Sequence, residues 1–196
     1  MSEHTVCIAE DPKRMGKPAM TRPLAPMTVS VAFVHGILSG LVMKGVPCEA
    51  WLLEVGITPD ELDDPTARVT LGQYAALMRT VIERLDDEMM GMMRRPARQG
   101  CFVLQARAAI GAPTLEGAIR RVVHTFRLLH DDVALVVVHD GDLAGVALQF
   151  ADASAGANRF LHQTLLRVYW RLFAWLIGGR LPPVRFDFAF PRPAYS

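Results

Sequence analysis

Few side chains here stand at spacings that catalysis or metal binding requires. The six histidines are His4, His35, His124, His130, His139 and His162. They are scattered, and none has a convincing cysteine or carboxylate partner at metal-ligand helical spacing. The three cysteines, Cys7, Cys48 and Cys101, are far apart and odd in number. That pattern excludes a disulfide framework and a zinc ribbon, and it suits a reducing cytoplasm. The phosphate-cradling G-x-x-x-x-G-K, a G-x-G-x-x-G after a strand, H-E-x-x-H and the nucleophile elbow G-x-S-x-G are all absent. With no nucleophile–base pair to be found, the expectation is a protein that is not an enzyme, with no metal and no cofactor.

The remaining candidates are binding residues. His35 lies beside the small residues Gly36, Ser39 and Gly40. It is either a hydrogen-bonded core histidine or a contact to a ligand, with haem ligation the weaker option. Tyr169, Trp170 and Trp175 crowd one segment, as core aromatics or as the wall of a pocket for an apolar effector. Arg107 interrupts the apolar run FVLQARAAIG, either at the surface or holding a carboxylate bidentately. The acidic runs Asp86-Asp87-Glu88 and Asp131-Asp132 fall at helix ends, where extra negative charge is unfavourable, so arginines are expected to compensate them. They read as solvated turns rather than as a cation site. The expected ligand site comprises His35, Ser39, Gly40, Arg107, Tyr169 and Trp170. Its pocket is expected between the first helix and the long C-terminal helix, where the small residues leave room.

The elements that carry these residues follow from periodicity and caps. Val31, Val34, Leu38, Leu41 and Val42 recur at helical spacing, predicting a helix over about Thr28–Lys44 with Gly45 as a left-handed cap. A short helix is expected at Cys48–Val55. Thr58-Pro59-Asp60-Glu61 is a capping box opening a helix over Pro59–Asp63, and Thr70-Leu71-Gly72-Gln73 opens another to about Asp86. Glu88–Gln99 reads as a loop with one helical turn, filled by adaptable methionines. Helices follow at about Cys101–Ile110 and Leu115–His130, the latter capped by Thr114. The period then changes to that of strands. Val133–Ala151 reads as a hairpin around Asp140-Gly141, expected as a type I′ turn. A mostly buried helix is expected over Asn158–Ile177, with Arg159, Gln163, Arg167 and Arg171 as one polar stripe. The alternating Val184–Phe190 predicts a third strand. The fold class is α+β: a helical layer followed by a small antiparallel sheet of hairpin, long helix and strand.

Length and charge bound the rest. With 196 residues, 51% hydrophobic and 21% charged, the chain can fold around one core. Its net charge of +1 gives no whole-chain footprint for nucleic acid. No secretory signal stands at the N-terminus, and the most apolar window, Val168–Gly178, is too short to span a bilayer and carries Arg171. The expectation is a cytoplasmic protein without membrane contact. Residues 1–26, with four prolines and mixed charges, read as a flexible tail, and 27–196 as the folded domain.

Leu52-Leu53-Glu54-Val55-Gly56-Ile57, then Leu62-Asp63-Asp64-Pro65-Thr66-Ala67-Arg68-Val69, then Tyr74 form an ordered series. Asp86-Asp87, Met90-Gly91-Met92, Gly100-Cys101-Phe102, Thr114–Ala118 and Phe190–Tyr195 continue it. Together they resemble the N-terminal sensor domain of one branch of AraC-type bacterial transcription regulators. The resemblance implies an effector-binding and dimerising module, with a small-molecule effector and a homodimer as partners. It also implies a C-terminal domain with two helix-turn-helix units, absent from this chain, through which DNA would be bound. Haem is not implied, because the Tyr-x-Ser-x-Arg signature of the haem-based sensors with a similar layout is missing. A ligand-free dimerisation module is the alternative.

Overall fold

The computed structural model describes residues 26–140, 143–151, 158–179, 181, 183, 185–188 and 190. The expected tail therefore lies almost wholly outside the described residues. The fold opens with a strand, β1 (Thr28–Ser30), which leads straight into helix α1 (Val31–Lys44). This corrects the expected helix start. Thr28–Ser30 is extended because it pairs antiparallel with β2 (Arg68–Thr70), Val29 opposite Val69. The Arg68 guanidinium closes this ribbon, donating to Thr28 Oγ1 at 2.8 Å and to the Thr28 carbonyl at 2.9 Å. Ser30 then caps α1 by accepting from Ala32 N, and Gly45 ends the helix at φ 64°.

Between α1 and β2 lie helices α2 (Glu49–Glu54) and α3 (Pro59–Asp63). Thr58 and Glu61 form the expected capping box of α3. β2 also runs directly into a helix, α4 (Leu71–Leu85), through the capping box of Thr70 and Gln73. Each such cap contributes ~1 kcal/mol. Helices α5 (Cys101–Ala109) and α6 (Leu115–Leu129) follow, then β3 (Val133–Asp140), β4 (Leu143–Phe150) and α7 (Arg159–Leu176). Among the described residues, the sheets are two antiparallel pairs of two strands, and the architecture is the expected mix of helices and small sheets.

The hairpin forms as expected, but its register pairs Asp140 with Leu143. Residues 141–142 are thus the connection, one position later than the Asp140-Gly141 centre expected, and the turn itself lies outside the described residues. The expected third strand is not formed by the described residues of 184–190, and the hairpin keeps two strands. The alternating aromatics pack on α7 instead. Phe186 meets Trp170 edge-on at 6.1 Å, Phe190 meets His162 at 5.9 Å, and Phe188 stacks on Phe190.

One core joins these elements. Val34, Ile37 and Leu41 of α1, Leu77 and Val81 of α4, Val122 and Phe126 of α6, Leu135 of β3 and Leu161 and Tyr169 of α7 are all buried within it. The segment 86–100 contains turns and bends but not the expected helical turn. Its Met89, Met90, Met92 and Met93 are buried, as filler should be. Two aspartates fold it. Asp87 is buried and accepts from Met89 N, Ala97 N and Gly91 N at 2.8–2.9 Å. Asp132, also buried, accepts from Arg94 N, Arg95 N and Arg94 Nε. The expected solvated turns are therefore corrected for these two residues: their charge is spent on backbone N–H groups that would otherwise be orphaned. Arginines do compensate the acidic runs, with Arg95 on Asp131 and Arg98 on Asp86. Among the described residues no helix is long and apolar enough to cross a membrane, and no group of side chains could hold a metal ion.

Candidate functional site

The seam between α5 and α7 carries the features that point to a ligand. Helix α5 begins at Gly100, in the left-handed region at φ 99°. The Glu88 carboxylate accepts from Gly100 N at 2.7 Å and Phe102 N at 2.8 Å, fixing the first turn. Its inward face carries Phe102, Gln105, Ala106 and Ala109. Helix α7 begins at Asn158, whose side chain accepts from Leu161 N. Its buried face repeats at helical spacing: Leu161, Leu165, Tyr169, Leu172 and Phe173.

The seam is held by a polar chain inside the core. Tyr169 Oη donates to Gln105 Oε1. Gln105 Nε2 donates to His130 Nε2 at 3.3 Å, which leaves the imidazole proton on Nδ1. All three residues are buried. Phe126 lies against the His130 ring at 4.3 Å and meets Tyr169 edge-on at 5.5 Å. Burial pushes the Tyr169 phenol far up and the His130 imidazole down, so both stay neutral. Burial also raises the Cys101 and Cys48 thiols, which makes neither a ready nucleophile.

On the same seam lies an open groove of about 450 Å³, lined by Phe102, Ala106, Arg167, Val168, Arg171, Leu172 and Trp175. A second groove of about 440 Å³ runs from the α5–α6 connection to the end of α7, and Trp175 lines it too. The Trp175 side chain, 63% exposed, stands between the two.

The six residues expected at the ligand site do not gather around either groove. His35 is exposed on α1, and its Nε2 donates to the Leu62 carbonyl at 3.0 Å, tying α1 to α3. Ser39 Oγ donates to the Gly36 carbonyl and accepts from Asn158 Nδ2 at 3.0 Å, tying α1 to the start of α7. The room expected at the small-residue face is filled. The Phe160 ring covers Gly36, and the backbone of Met90–Met92 lies on Gly40. Arg107 is exposed on α5. Tyr169 is in the core, and Trp170 Nε1 donates to the Leu181 carbonyl at 3.0 Å. Sequence reasoning passed over Gln105, the one polar residue on the buried face of α5. The signal was its helical phase with Phe102 and Ala109, which Arg107 does not share.

Residues 45–196 match the family described as the arabinose-binding domain of AraC transcription regulator, N-term. The chain belongs to this family of regulator domains. It is also similar to the ornithine utilization regulator of Pseudomonas aeruginosa, 22% identical over 169 residues, covering 86% of this chain and 50% of that regulator. The chain thus spans about half the length of the curated relative it matches. No solved structure gives a significant match.

Proposed function

We propose that this chain is the effector-binding domain of a cytoplasmic AraC-type transcription regulator. A small molecule would bind one arrangement of the helical layer more tightly and so shift the behaviour of a DNA-binding domain elsewhere in the regulator. Membership of the family over residues 45–196 carries this reading. The grooves along α7 support it, since their size falls within the ~300–1,000 Å³ range of small-molecule sites. In this reading His35, Ser39 and Gly40 seat α3, α7 and the 86–100 segment, while Tyr169 sets α7 against α5. Arg107 and Trp170 sit on the two helices that form the first groove. Homodimerisation belongs to the same proposal, with Leu104 and Leu128 among the exposed apolar residues on helices that could serve it.

The relative's name concerns ornithine, which carries two ammonium groups and one carboxylate. Among the described residues, neither groove is lined by an aspartate or glutamate. Ornithine is therefore not the effector we propose for this chain.

The test is native mass spectrometry of protein purified from cells, followed by thermal melting with the compounds it identifies. A ligand at a hundred times its Kd adds ~2.7 kcal/mol, a rise of roughly 5–10 °C for a domain of this size. A chain that carries no small molecule and responds to no compound of a broad metabolite library would overturn the reading.

A further inference from the structure

We infer that the α5–α7 groove takes a small organic anion: a carboxylate on an aromatic or branched apolar body. This rests on the reading of the chain as an effector-binding domain and names the chemistry of its site.

The apolar half of the argument is the lining. Phe102 and Ala106 of α5 face Val168 and Leu172 of α7, with Trp175 at the C-terminal end. An indole offers 150–250 Å² of burial, roughly, and this one is 63% exposed. A flat apolar body laid along the groove covers it.

The charged half is a pair of exposed arginines at the edge of the groove. Arg84, Arg94, Arg95, Arg98, Arg120 and Arg185 each hold a carboxylate. Arg167 and Arg171 hold none among the described residues, and neither do Arg68, Arg79, Arg107, Arg121, Arg127 and Arg159; what sets these two apart is that they border the groove, whose lining is otherwise apolar. The charge of Arg167 is felt by the Tyr74 phenol, which burial raises and Arg167 lowers, but that group is neutral. The two arginines are one helical turn apart, so their Cβ atoms are ~5–6 Å from each other and both forks can reach one anion. A guanidinium fork matches a carboxylate bidentately, so an anion whose apolar body lies in the groove can set its carboxylate against this pair at the exposed edge. With no aspartate or glutamate among the described residues of the lining, an ammonium group finds no carboxylate there.

The test uses the 196-residue protein with 4-phenylbutyrate as the probe, and 4-phenylbutanol and ornithine for comparison. Tryptophan fluorescence and melting temperature are the readouts. The expected result is saturable binding of 4-phenylbutyrate with a Kd of about 1 mM or below. The double variant R167Q/R171Q should weaken it by about tenfold or more, ~1.4 kcal/mol, and leave the feebler binding of 4-phenylbutanol unchanged. W175F should remove most of the fluorescence response while the melting shift persists, and ornithine should give neither signal. No saturation by 4-phenylbutyrate, or equal binding by R167Q/R171Q, overturns the groove assignment. So does light scattering that shows a dimer lost in W175A together with no probe binding, because the groove would then be an interface. A library compound that raises the melting temperature equally in the parent and in R167Q/R171Q also overturns it, yet leaves the effector-domain reading standing.

Discussion

The backbone of Gly91 lies on the backbone of Gly40: a Cβ at Gly91 would sit 3.1 Å from the carbonyl carbon and oxygen of Gly40. The reverse is tighter still, since a Cβ at Gly40 would land on the Met90 carbonyl and 2.8 Å from Met92 N. The obstacle is backbone, not the end of a flexible side chain. Gly40→Ala should therefore cost ~1–3 kcal/mol and lower the melting temperature by roughly 2–12 °C. Gly72→Ala is the control. Gly72 sits in the exposed first turn of α4 with only an ordinary contact at 3.8 Å, so alanine there should be neutral or slightly stabilising. An unchanged melting temperature for Gly40→Ala would mean that the space over α1 is open after all.

Asp87 should be among the costliest side chains to remove from the 86–100 segment. Its carboxylate satisfies three backbone N–H groups, the farthest ten residues along at Ala97. Asp87→Ala leaves those donors buried and unpaired, at ~1–3 kcal/mol for each unsatisfied group, not fully additive. The expected outcome is a folded domain at low temperature whose 88–97 amides lose hydrogen-exchange protection. Full protection in that variant would contradict the role given to Asp87.

What the sequence showed and what it hid divide along one line, between local and distant partners. Thr58 with Glu61, Thr70 with Gln73, and Gly45 close their hydrogen bonds within five residues, so their helix ends were readable from spacing. β1 was not, because its partner strand is 40 residues away and the three-residue strand has no period of its own. Gly36 and Gly40 announced a close approach but not what approaches, which is a ring in one case and backbone in the other. The alternation of Phe186, Phe188 and Phe190 has the period of a strand, yet these rings make their contacts on α7 and on each other. At the groove, Arg167 and Arg171 were visible as a polar stripe. That they have no carboxylate partner among the described residues depends on which acidic residues other elements bring near, and periodicity carries no such information.

The pair of Tyr169 and Gln105 should behave as a unit. Tyr169→Phe keeps the ring contacts with Phe126 and Phe102 but strips the donor from Gln105 Oε1. A loss of ~1–3 kcal/mol is expected, because a buried acceptor is left unsatisfied. Gln105→Leu in the same chain should cost less than the sum of the two single changes, since it removes the orphaned amide. Additive losses in this double-mutant cycle would show that the two groups do not interact.

Acid should weaken the domain in two stages, and His130 should govern the first. Burial lowers the His130 pKa from its ordinary 6.5, against the opposing pull of Asp87, Asp131 and Asp132 and with the help of Arg95. The folded imidazole therefore stays neutral at a pH where the unfolded one takes up a proton. Between pH 6.5 and the lowered folded value the unfolded state binds more protons, so stability falls as pH falls. Above that window His130 contributes no pH dependence. Asp132 acts lower down. Burial raises its pKa, but the hydrogen bonds from Arg95 N and from Arg94 outweigh that and bring it below 3.8. Its stabilisation is complete above pH 3.8 and is lost as pH drops through the folded value. The measurement is the melting temperature from pH 8 to pH 3 for the parent and for His130→Gln, whose amide can still meet Gln105. The variant should flatten the decline that begins just below pH 6.5 and keep the one below 3.8. A variant with the parent's full decline between pH 6.5 and 5 would assign that stage to another group.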